Sequence, residues 1–73
     1  MINCKILKSN VEIMMKKRGW NQERFKLYMG WGGATTYLRK FSEDGKWSFD
    51  EINRLTKWAG KGFEELSTKS LIN

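Results

Sequence analysis

The sequence predicts an all-helical domain, on three observations. Apolar residues recur at helical rather than alternating spacing along most of the chain. Glycines stand where those runs stop, at Gly19, Gly30 and Gly60, the residue type that most easily takes the left-handed conformation ending a helix. Residues with capping side chains stand where two of the runs begin, Asn21 before Gln22-Glu23 and Ser48 three residues before Glu51.

Taken in order, the first pattern covers residues 4–18, with Leu7, Val11, Met14 and Met15 on one inward stripe. Two starts fit: Asn3 as cap, with Ile2 and Leu7 as a hydrophobic staple, or Ser9 as cap of a shorter helix. Lys16, Lys17 and Arg18 suit the negative end of the helix dipole ahead of Gly19. A second helix is expected over 22–29, capped by Asn21, stapled by Trp20 and Phe25, and burying Phe25, Met29 and part of Tyr28. A third is expected over 34–42, with Ala34, Tyr37, Leu38 and Phe41 inward and Thr35, Thr36, Arg39 and Lys40 outward. After a polar turn over 42–46, Ser48 and Glu51 form a capping box, and Trp47 with Ile52 repeats the staple. The fourth helix turns Ile52, Leu55, Trp58 and Ala59 to one side and ends at Gly60. A short fifth helix over 63–66 folds Phe63 and Leu66 onto the core, with Glu64 and Glu65 suited to its first turn. Residues 67–73 are expected to fray, with Leu71 and Ile72 available to dock on the domain or a partner. The predicted core is Leu7, Val11, Met14, Phe25, Met29, Tyr37, Phe41, Ile52, Leu55 and Leu66.

A chain of 73 residues makes one small domain with a modest stability margin. Four Trp, four Phe and two Tyr supply large apolar side chains that offset its size. The one cysteine, Cys4, forms no internal disulfide, reads as a small buried hydrophobe, and fits a reducing cytosol. No apolar run is long enough to span a membrane, and Met1-Ile2-Asn3 does not open a signal peptide, so a soluble intracellular protein is expected. The formal charge of +6 is concentrated. Lys16, Lys17, Arg18, Arg24, Lys26, Arg39 and Lys40 face Glu23 alone within residues 16–40, and the rest of the chain is balanced. Such a segment is either a solvated face or the footprint of a polyanion, with phosphates the obvious candidates.

Several chemistries are excluded by residue type. There is no histidine to act as general base or metal ligand, and one cysteine cannot build a zinc site. The carboxylates fall in caps and turns, where capping and solubility account for them. Gly32-Gly33 follows a helix, not a strand, and lacks a following Gly-Lys-Ser/Thr, so it is not a phosphate-binding loop. The expectation is a protein that is not an enzyme and needs no metal, cofactor or small-molecule substrate.

Two short helices joined by a glycine turn, the second with a small, polar and basic outer face, read as a helix-turn-helix formed by the second and third helices. Over about residues 7–66 the chain resembles the Cro and repressor N-terminal domains of temperate phages, lambda-repressor-like five-helix proteins. The resemblance is carried by Gly19-Trp20-Asn21-Gln22, Phe25, Met29-Gly30-Trp31, Tyr37-Leu38-Arg39-Lys40-Phe41 and Gly45-Lys46-Trp47-Ser48-Phe49-Asp50-Glu51-Ile52. Its second half is similar to the small Cro-like and modulator-of-repression proteins of phages of Gram-positive bacteria. Two features depart from the pattern. Lys26 stands where a small residue is usual, which requires its stem to lie along the helix contact with the ammonium in solvent. The segment Trp31-Gly32-Gly33-Ala34 is one residue longer than usual and puts glycine and alanine where polar side chains normally reach base edges.

The resemblance implies a phage-type transcriptional regulator in the cytoplasm of a bacterial host, binding double-stranded operator DNA through the third helix, usually as a homodimer on two-fold symmetric sites. Thr35, Thr36 and Arg39 would face bases, Arg39 being able to take a guanine bidentately. Gln22, Arg24, Lys26, Lys40 and the Lys16, Lys17, Arg18 cluster would face phosphates. The alternative is an antirepressor that keeps the fold but binds a partner phage repressor, using Leu27 and Trp31 near the presumed DNA-facing surface. Trp31 equally fits a core position at the helix junction.

Overall fold

The computed structural model describes residues 3–43 and 45–71. They form five helices and, among the described residues, no strand: α1 (Cys4–Arg18), α2 (Gln22–Met29), α3 (Ala34–Lys40), α4 (Phe49–Ala59) and α5 (Phe63–Thr68). The ambiguity at the first start is decided by Asn3, whose side-chain oxygen accepts from the Lys5 and Ile6 amides at 3.0 and 3.2 Å. Ile2, the other half of the expected staple, lies outside the described residues. Asn21 accepts from the Arg24 amide at 2.8 Å, and Ser48 and Glu51 form the full reciprocal capping box. Gly19, Gly30 and Gly60 close α1, α2 and α4 with φ of 70°, 79° and 72°, a region costly for any residue with a Cβ.

α3 is two residues shorter than the spacing predicts. The carbonyls that would continue it are claimed by side chains: Ser42 Oγ donates to the Arg39 oxygen at 2.7 Å and Trp47 Nε1 to the Lys40 oxygen at 2.8 Å. Gly45 then passes so close that a Cβ there would collide with the Arg39 and Lys40 carbonyls, so the turn after α3 requires glycine. α3 also presents a different face from the one expected. Tyr37 and Phe41 are buried, whereas Ala34 is exposed and Leu38 is 56% exposed. Two large rings fill the inward arc of so short a helix, and Leu38 stands about 100° round from Tyr37, past the edge of the contact.

The core contains nine of the ten expected residues; Ile52 is only half-buried, and Met15, Trp31 and Ala59 join them. Its distinguishing feature is a continuous set of ring contacts. Tyr28 meets Trp20, Trp20 meets Trp58, and Trp58 meets Phe25. Phe25 meets Trp31, Trp31 meets Trp47, and Trp47 meets Phe63. Tyr37 and Phe41 pack on Trp31 from α3. Such pairs contribute roughly 0.5–1.5 kcal/mol each beyond their area. In a domain this small they take the place of a larger aliphatic core. Burial first, and the Glu12 carboxylate second, push the Tyr37 phenol up to about 12, so it stays neutral.

The C-terminal segment is the main correction to the expected architecture. α5 runs two residues further than expected, and Ser67 is buried. Asn10, fully buried on α1, donates to the Leu66 and Lys69 carbonyls at 2.6 and 2.8 Å and accepts from the Leu71 amide at 2.8 Å. The Asn3 amide adds a bond to the Ser67 carbonyl at 3.1 Å. Residues 67–71 are therefore tied to α1, not frayed, and Leu71 packs against the core. Ile72 lies outside the described residues.

Candidate functional site

The surface singled out by charge and pattern is built on α2, α3 and the turn between them. That turn is held from below. The Trp31 amide donates to the Lys26 carbonyl at 2.9 Å, closing α2 around Gly30, and the Trp31 ring drops into the core. Its indole N–H meets Glu51 Oε2 at 2.6 Å. The other Glu51 oxygen accepts from Lys40 Nζ at 2.9 Å and from the Ser48 amide at 2.7 Å, and Lys40 Nζ also reaches the Lys46 carbonyl at 2.7 Å. One carboxylate thus joins the turn before α3, the end of α3 and the start of α4. Burial alone would raise its pKa, but the hydrogen bonds from the Ser48 backbone, Lys40 and Trp31 and the Ser48 side chain outweigh it and hold the group at about 2.

This geometry removes three residues from the expected working surface. Lys40 is not turned to phosphates, because its ammonium is committed to Glu51 and Lys46. Lys26 is only 8% exposed, and its ammonium pairs with Glu23 at 2.8 Å. Trp31, 6% exposed, belongs to the core, so it is not an accessible partner anchor.

The remaining residues fall in two groups. On α3, Thr35 and Arg39 are exposed beside Ala34 and Leu38, and Thr36 is half-buried. On α2, Gln22, Arg24 and Leu27 are exposed, Leu27 to 78%. Lys16, Lys17 and Arg18, at the end of α1, are exposed as well. Arg18 and Arg24 are brought together through aromatic rings. The Arg24 guanidinium lies 4.5 Å over Trp20, the Arg18 guanidinium 4.7 Å over Trp58, and the two indoles are 5.4 Å apart. Stacking holds each cation in place while leaving its N–H edge for an anion.

No protein-family model, curated protein or solved structure matches the chain. What the surface can do is therefore read from its own groups. Thr35 and Arg39 supply hydrogen-bonding side chains on an exposed helix, the arginines and lysines supply anion contacts, and Leu27 and Leu38 supply exposed apolar area. Among the described residues, no cluster of His, Cys, Asp or Glu is arranged to hold a metal ion.

Of three further residues that matter here, two carry no distinguishing sequence signal and one does. Glu51 reads as a capping residue, and nothing in its spacing announces Lys40 or Trp31 as partners. Gly45 reads as an ordinary turn glycine. Asn10 had a visible signal, since it is a polar residue at i+3 from Leu7 and i−4 from Met14, inside the apolar stripe of α1.

Proposed function

We propose that the protein is a Cro-like transcriptional regulator of phage type that lays α3, the second helix of a helix-turn-helix, in the major groove of operator DNA. The observation that carries this reading is the mounting of α3. Its ends are fixed by the Gly30 turn and by the Glu51 and Trp47 contacts, while Thr35 and Arg39 stand free on its outer side. Arg39 reads guanine through a bidentate contact, Thr35 and Thr36 take neighbouring base edges, and Gln22, Arg24, Lys16, Lys17 and Arg18 meet phosphates. The protein acts as a homodimer on a two-fold site in the host cytoplasm. Lys26 and Lys40 support this surface without contacting DNA.

Selection from random duplexes, followed by titration against salt, tests the reading. Each phosphate neutralised contributes a log–log slope of about −0.9. Arg39→Ala should cost about 1–3 kcal/mol at the selected operator and much less on random DNA. Arg24→Ala should flatten the salt slope by about one unit, whereas Lys40→Ala should leave the slope of the folded protein unchanged. Operator preference that survives Arg39→Ala rules α3 out as the reading helix.

A second reading is favoured by Leu27 and Leu38, which are 78% and 56% exposed on α2 and α3 beside Gly32, Gly33 and Ala34. Apolar side chains next to residues without donors suit a protein partner, here a phage repressor bound by an antirepressor. Under that reading Leu27→Asp with Leu38→Asp abolishes repressor capture and Arg39→Ala has little effect on it.

A further inference from the structure

We propose that the cleft between the C-terminal ends of α1 and α4 is a docking site for an acidic, amphipathic segment of a partner protein. The cleft has a volume of about 430 Å³ and is lined by Met14, Lys17 and Arg18 of α1, Ala59 and Lys61 at the end of α4, and Leu71 of the C-terminal segment. Its floor is apolar, because Met14 and Ala59 are core residues and Leu71 packs beside them. Its rim is cationic. The negative ends of α1 and α4 are worth about half a charge each, which the three cations exceed. Glu65 is the acidic neighbour, at 3.7 Å from Lys61 Nζ, too long for a hydrogen bond and loose enough to be exchanged.

The rim is also organised beyond the cleft. Arg18 is fixed 4.7 Å over Trp58, and through Trp20 the surface continues to Arg24, 4.5 Å over the Trp20 ring. A guanidinium already held by stacking loses less freedom on pairing with a carboxylate than a free lysine does.

Charge complementarity selects an anionic partner, and the floor selects among anions. A sugar–phosphate backbone has no apolar group to enter a pocket of Met14, Ala59 and Leu71. A leucine or phenylalanine flanked by aspartates and glutamates matches both floor and rim. None of the lining residues comes from α3, so the cleft is separate from the base-reading helix, but it shares Lys17 and Arg18 with the phosphate-facing group of the proposed function.

The test is fluorescence anisotropy of the full chain with a short labelled peptide carrying one central leucine among glutamates and aspartates. Saturable binding is expected, weakened about tenfold or more by Lys17→Glu combined with Lys61→Glu, the sum of two reversed rim pairs. Replacing the peptide's leucine by serine should weaken it by a similar factor, and Arg39→Ala should leave it unchanged. Circular dichroism of the double variant should match the parent, and its melt should stay cooperative with only the small loss that reversed charge at the end of α1 brings. No binding, equal binding of the serine peptide, or insensitivity to the charge reversals would overturn the proposal. Because Lys17 is shared with the proposed phosphate contacts, the single variant Lys61→Glu separates the two: it should weaken the peptide and spare duplex DNA, and an equal loss for both would overturn the proposal.

Discussion

Glu51 receives Trp31, Lys40 and the Ser48 amide on two oxygens, so its ionised form is bound into the fold at three points. Its folded pKa of about 2 lies below the ordinary value of 4.5. The stabilisation is fully present above pH 4.5 and is lost as pH falls from 4.5 to about 2. The shift corresponds to about 3 kcal/mol. Urea melts of the parent and of Glu51→Gln should therefore differ most near neutral pH and converge on acidification. A constant difference across that window would mean that Glu51 acts by shape and not by charge. Asn10 is the second residue of this kind. Asn10→Ala would strand the Leu66 and Lys69 carbonyls and the Leu71 amide, at about 1–3 kcal/mol for a buried group left unpaired. Melting should register the loss, and limited proteolysis should find the segment after Leu66 newly accessible.

Among the elements, α4 has the strongest local encoding, and α3 has little. Ser48, Glu51 and Gly60 define α4 from its own sequence, and Ser48→Ala should cost about 1 kcal/mol in thermal or chemical melts. Because Glu51 also serves the Ser48 cap, a double-mutant cycle of Ser48→Ala with Glu51→Gln should give a coupling of at least about 0.5 kcal/mol. Additive effects would separate the cap from the carboxylate network. α3 spans seven residues, follows Gly33, which offers no side-chain cap, and is too short to be stable alone. Tertiary contacts hold it: Tyr37 and Phe41 in the ring network, Trp47 and Ser42 on its last carbonyls, and Lys40 on Glu51. That division suits an element whose outer side is left for a partner.

For the whole molecule, helix order and most of the core were legible from local signals. Periodicity, asparagine and serine caps and left-handed glycines act over a few residues, and they suffice for α2, α4 and the end of α1, whose start they left open. The candidate surface was less legible, since the partner of Lys40 depends on what folding brings beside it and the burial of Lys26 on what packs over α2. Lys26 and Lys40 looked identical in kind to Arg24 and Arg39, yet the fold commits the first two to carboxylates and leaves the arginines at the surface. The seven-cation segment therefore presents fewer available charges than its composition suggests. Leu38 shows the same limit, because its periodicity points inward but the narrow contact of α3 leaves it in solvent. By itself the sequence determined five helices, their order, the caps of α2 and α4 and most of the apolar residues that make the core. Only the tertiary structure decided that Trp31 is buried, that residues 67–71 are latched to α1 and which cations remain available. Caps and faces are set by neighbours a turn away, as is the Lys26–Glu23 pair, whereas the burial of Trp31, the latch of residues 67–71 and the commitment of Lys40 are set by hydrogen bonds between residues 11 to 61 positions apart.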